Sequence, residues 1–98
     1  MSLQAKILNL LSGIDDPGIR IEISRTIYYL YNVYKNNIAS EESIKNDLME
    51  ICLLIVQEKE PTLSPEDQKK KAEKLANDIL NAFKLETLTR RKILRYGV

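Results

Sequence analysis

Ninety-eight residues, 44% of them hydrophobic and 30% charged, are enough for one domain with one core and too few for two. The chain has no histidine and a single cysteine, Cys52, which excludes histidine acid–base catalysis, zinc sites of the Cys/His type and an intramolecular disulfide. A net charge of +1 excludes both a polyanion mimic and a strongly basic nucleic-acid binder.

The charge is unevenly spread. Residues 37–60 carry six acidic and two basic groups, whereas residues 61–98 carry nine basic and five acidic ones. Three glycines and three prolines are few breakers among so many Leu, Ile, Lys and Glu residues. That balance favours helices. No apolar run approaches the ~20 residues that span a bilayer. No signal-peptide pattern opens the chain, so a cytoplasmic protein is expected.

In chain order, Leu3, Ile7, Leu10, Leu11 and Ile14 recur at the spacing of one helix face. Gly13 ends this short first helix as its C′ residue, with Ile14 folding back on the last turn. Asp16 and Pro17 then open a second helix, as N-cap and first helical residue. It runs from Pro17 to Tyr34. Ile19, Ile23, Ile27, Leu30, Tyr31 and Tyr34 form its inner face, Val33 widens it, and the tyrosine hydroxyls are expected at the rim. Ile21 and Tyr28 fall on the far side, and a helix this apolar round its circumference is either buried between several others or partly covered by another protein. Tyr28, Tyr29, Tyr31 and Tyr34 also offer stacking surfaces for single-stranded nucleic acid, but only Arg25 and Lys35 accompany them.

Ser40, followed by Glu41 and Glu42, caps a third helix that is expected to reach Gln57. Ile44, Leu48, Ile51, Cys52 and Ile55 make its inner face, so Cys52 is read as a buried, inert thiol. Met49, Leu53 and Val56 lie off that face and form a second candidate surface. The acidic doublets Asp15-Asp16 and Glu41-Glu42 sit at helix starts, where capping and the helix dipole account for them without a metal.

Glu58–Leu63 reads as a linker. Ser64, Pro65 and Asp67 give the clearest helix start in the chain. Ala72, Leu75, Ala76, Ile79, Leu80 and Phe83 continue it to about Lys84, with ion pairs expected at Glu66–Lys70, Asp67–Lys71 and Lys74–Asp78. A break near Glu86-Thr87 is expected to lead to a short fifth helix, Leu88–Tyr96. Lys84, Arg90, Arg91, Lys92 and Arg95 make this end basic and are the candidate contacts for a polyanion. In a helix-turn-helix version the fifth helix does the recognition, although the 58–63 connection is longer than the usual turn.

The IYYLYNVY segment of the second helix and the TRRKILRY tail, in a chain enriched in Ile, Lys, Glu and Tyr, look like small accessory proteins of thermophilic archaea. They resemble the small all-helical accessory subunits of crenarchaeal nucleic-acid machinery, including one that associates with the replicative family-B DNA polymerase. The resemblance implies a non-catalytic role in binding and stabilising a larger enzyme. It carries no site residue with it.

The expectation is therefore an all-α, single-domain, compact bundle of four to five helices. No motif names a reaction or a cofactor, and no small-molecule substrate is expected. The favoured function is a non-enzymatic interaction module, an accessory subunit of a larger assembly or a homodimer. Its candidate contacts are Ile21, Tyr28, Met49 and Leu53. The alternative is a small DNA- or RNA-binding protein that uses the basic C-terminal helix.

Overall fold

The computed structural model describes the backbone of residues 2–96 and the side chains of residues 2–90. Four helices follow one another: α1 (Leu3–Leu11), α2 (Pro17–Lys35), α3 (Glu41–Lys59) and α4 (Pro65–Tyr96). No strand occurs among the described residues. The connections are short, so each helix returns antiparallel to the one before. Ion pairs fix the order at both ends of the α3–α4 pair: Glu41 meets Lys84 and Glu60 meets Lys71, each at 2.6 Å. The backbone N–H of Leu3 donates to Glu86 at 3.5 Å, which sets α1 antiparallel to α4 and closes the four-helix arrangement.

Each helix start is a capped end. Ser2, Asp16, Ser40 and Ser64 accept backbone N–H groups of the first turn that have no partner within the helix. The Asp16 carboxylate takes two, from Gly18 and Ile19. The stops differ. Gly13 takes a φ of +86° just after α1, a conformation open to glycine without strain. Asn37 takes the equivalent position after α2, with φ +54°. There Ile38 donates to the Val33 carbonyl and Asn37 to that of Tyr34, the paired bonds of a Schellman closure.

Arg20 supplies a stop signal that the sequence reading missed. Its guanidinium donates to the carbonyls of Leu11 at 2.7 Å and Ile14 at 2.9 Å. A cation from the next helix thus satisfies the end of α1 and binds the α1–α2 turn to α2.

The expected inner faces form the core. Leu3, Ile7, Leu10, Leu11 and Ile14 are buried, as are Ile23, Ile27, Leu30, Tyr31 and Val33 of α2. Ile44, Leu48, Ile51, Cys52 and Ile55 of α3 meet Ala72, Ala76, Ile79, Leu80 and Phe83 of α4. Val56 departs from expectation. It is buried, because Leu10 of α1 and Leu75 of α4 close over that flank of α3. At one end of the bundle the rings of Tyr31 and Tyr34 pack against Phe83, at centroid distances of 5.4 and 5.9 Å.

The break expected at Glu86-Thr87 is absent, and α4 runs 32 residues without interruption. Thr87 does not cap a new helix. Its hydroxyl donates back to the Phe83 carbonyl at 2.9 Å, and Thr89 does the same to Leu85. A hydroxyl that bonds one turn back is compatible with a continuous helix, and neither glycine nor proline stands there to end it. The described residues therefore form four helices, within the expected four to five, and among them the turn that a helix-turn-helix needs between a fourth and a fifth helix is absent. At 1.5 Å per residue α4 is about 48 Å long, close to the 50 Å longest dimension of the molecule. The 19-residue α2 and α3 reach only about 28 Å. The C-terminal turns of α4 thus outrun the bundle that supports its first half.

Candidate functional site

The four residues expected to meet a partner divide into two pairs on different faces. Ile21 and Tyr28 lie seven apart on α2, with Arg25 and Asn32 completing the same outward stripe. Ile21 is 51% exposed and Tyr28 39% exposed. Tyr28 shares a cleft with Gln4 of α1. Leu8 stands one turn further along α1 and is also exposed. Because α1 and α2 are antiparallel, the step from Gln4 to Leu8 runs the same way as the step from Tyr28 to Ile21. Leu8, Ile21 and Tyr28 therefore lie on one outward strip of the α1–α2 pair, which Arg25 interrupts between Ile21 and Tyr28. Leu8 escaped the sequence reading because it lies off the Leu3–Ile7–Leu10–Leu11 stripe, and its partners become visible only once α1 is laid beside α2.

Met49 and Leu53 are half-buried and pack against the core. With Pro65, Gln68 and Ala72 they line a shallow groove of about 270 Å³ between α3 and α4. This is a furrow on the opposite flank of α3 from α2, and it does not join the Ile21–Tyr28 strip.

The basic end is also split. Lys84 forms its ion pair with Glu41, and the hydrogen bond to that carboxylate holds the ammonium above the usual lysine range. Arg90 pairs with Glu86 at 3.6 Å and lies over the Tyr31 ring, 5.7 Å from its centroid. Lys35 lies over the same ring at 5.6 Å. The side chains of Arg91, Lys92 and Arg95 lie outside the described residues. None of the three expected pairs within α4 is among the ion pairs of the described residues. Lys71 reaches across to Glu60 of the preceding connection instead. Leu85 and Leu88 are exposed.

Tyr31 corrects a further expectation. Its ring is core, but its hydroxyl does not reach the rim: it is buried and finds no hydrogen-bond partner among the described residues. Phe83 packs against its ring, and the two cations lie over that ring. Tyr29 is the most open of the tyrosines described, so the four clustered tyrosines do not share one stacking surface.

The chain matches no protein-family model, no curated protein and no solved structure.

The chemistry on offer is limited and can be stated. Burial, then the charge of Asp78, push the Cys52 thiol from 9.0 up to about 12, so it stays protonated and unreactive at neutral pH. Burial lowers Lys59 from the usual lysine value. Among the described residues no group of three or more Cys, Asp or Glu side chains is placed to hold a metal. None of the described helices is long and apolar enough to cross a membrane.

Proposed function

We propose that this chain is a non-catalytic helical binding module, an accessory subunit that docks on a larger protein through the outward face of α1 and α2. The observation that carries this reading is the strip Leu8–Ile21–Tyr28. The bundle fills its core without these side chains and leaves them in water. An aromatic and a branched aliphatic side chain two turns apart on one well-capped helix, with Arg25 between them, can serve a protein interface as anchors. The protonated Cys52 thiol fits a binding role, since it supplies no nucleophile at neutral pH. A nucleic-acid-handling assembly is the first partner class to test, in line with the resemblance of the IYYLYNVY and TRRKILRY segments. The alternative, direct nucleic-acid binding by the α4 end, has less support, because Lys84 and Arg90 already face carboxylates.

The test is affinity capture from the source cells with the wild-type chain and with Ile21→Ser, Tyr28→Ser. The reading predicts a partner held in a fixed ratio by the wild type and lost by the variant, with the variant's circular dichroism unchanged. Equal retention by both proteins would remove the strip from the interface. A chain that captures nothing and stays monomeric would remove the module reading.

A further inference from the structure

The opposite flank of α2 carries a different surface. Glu22 and Tyr29 also lie seven apart, one residue on from Ile21 and Tyr28, which turns them about 100° round the helix toward α3. The groove they border has a volume of about 350 Å³. Its floor is apolar: Leu30, Ile51 and the half-buried Leu54. Its rim carries three carboxylates, Glu22 on α2 and Asp47 and Glu50 on α3, all exposed. No lysine or arginine lines it among the described residues. Glu58 follows Leu54 by one turn on the same side of α3 and continues the acidic edge.

Two large apolar side chains stand free in this region. Tyr29 borders the groove and is 66% exposed. Ile38, at the loop end of the same helix pair, is 71% exposed. Its backbone is fixed by the Schellman bond to Val33 at 3.1 Å, so its exposure is built into the turn.

From this pairing of an apolar floor with an acidic rim we infer that the α2–α3 groove is the docking site for a cationic amphipathic helix of a protein partner. The inference rests on the binding-module reading but uses a separate face of α2. The lining runs from Glu22 to Leu30 on α2 and from Asp47 to Leu54 on α3, about 12 Å or two helical turns along each wall. A guest helix lays its apolar stripe on Leu30, Ile51 and Leu54 and stacks on Tyr29. Lysines and arginines beside that stripe meet Glu22, Asp47 and Glu50. An acidic guest meets like charge on both walls, and an uncharged one leaves three carboxylates without partners. Charge therefore selects the guest, and the apolar floor holds it.

The test uses a labelled synthetic helix of roughly 18 residues, with leucines at helical spacing and lysines and arginines beside them. A control peptide carries glutamates in place of the cations. Fluorescence anisotropy should show binding of the cationic peptide alone, weakened about tenfold or more between about 50 and 500 mM NaCl. The variant Asp47→Asn, Glu50→Gln, Tyr29→Ala should lose at least about tenfold in affinity with its helix content unchanged. The variant Ile21→Ser, Tyr28→Ser should bind like the wild type. The groove assignment is overturned if the cationic peptide does not bind, if the acidic peptide binds equally, or if binding survives the groove variant. In any of those cases, capture of a partner that still depends on Ile21 and Tyr28 leaves the broader reading standing.

Discussion

Ile27 and Ile21 are the same residue on the same helix, six positions apart, and they lead opposite lives. Ile27 is wholly buried, whereas half of Ile21 is in water. Ile27 belongs to the core that the four helices share, and Ile21 faces water. Side-chain chemistry alone does not distinguish core from contact. The helix phase and the presence of a neighbour do. Within α2 three surfaces are set by rotation alone: the core at Ile23 and Ile27, an outward strip at Ile21 and Tyr28, and an acid-edged groove at Glu22 and Tyr29.

The largest expected effect breaks the inner side of that comparison. Ile27→Ala should lower unfolding stability by about 2–5 kcal/mol in urea denaturation, through lost burial and the cavity left behind. Ile21→Ser, on the outward side, should stay within about 0.5 kcal/mol of the wild type. Comparable losses at both positions would show that Ile21 is packed.

Next comes the joint that holds α1 against α2. Arg20→Ala leaves the Leu11 and Ile14 carbonyls without their charged donor. It should cost roughly 1.5–3 kcal/mol, and hydrogen exchange should report faster opening of α1 than of α3. Uniform acceleration of all four helices would show that α1 does not open separately.

A further effect is a pH dependence carried by Cys52. Its folded pKa of about 12 lies above the ordinary 9.0, so the unfolded chain loses the proton first as pH rises. The contribution is constant below pH 9, and stability falls as pH rises from 9 toward 12. Cys52→Ser should flatten this slope in denaturation curves taken across the range. An unchanged slope would assign it to lysines and tyrosines instead.

Much of the fold was legible in the chain. The caps at Asp16, Ser40 and Ser64 and the glycine at position 13 are local signals, with their partners two or three residues away. The inner faces followed from spacing alone. What escaped depends on neighbours distant in sequence. Lys71 prefers Glu60 across a turn to Asp67 on its own helix. Val56 is buried on a flank of α3 that Leu10 of α1, more than forty residues earlier, also lines. Thr87 suggests a helix start by its residue type, yet its hydroxyl settles on Phe83 and α4 continues. The candidate surfaces were legible in part. Ile21 and Tyr28 stood out by phase, but the strip they form with Leu8 and the groove beside Tyr29 exist only once the helices are packed.

The most direct measurement of the central claim compares three tyrosines of one helix. Oxidative footprinting of the free chain and of the chain within its cellular complex reads Tyr28, Tyr29 and Tyr31 in a single peptide. The account predicts a reactive Tyr28 in the free chain that becomes protected in the complex, beside a Tyr31 that is unreactive in both. A Tyr28 oxidised at the same rate in both states would contradict it.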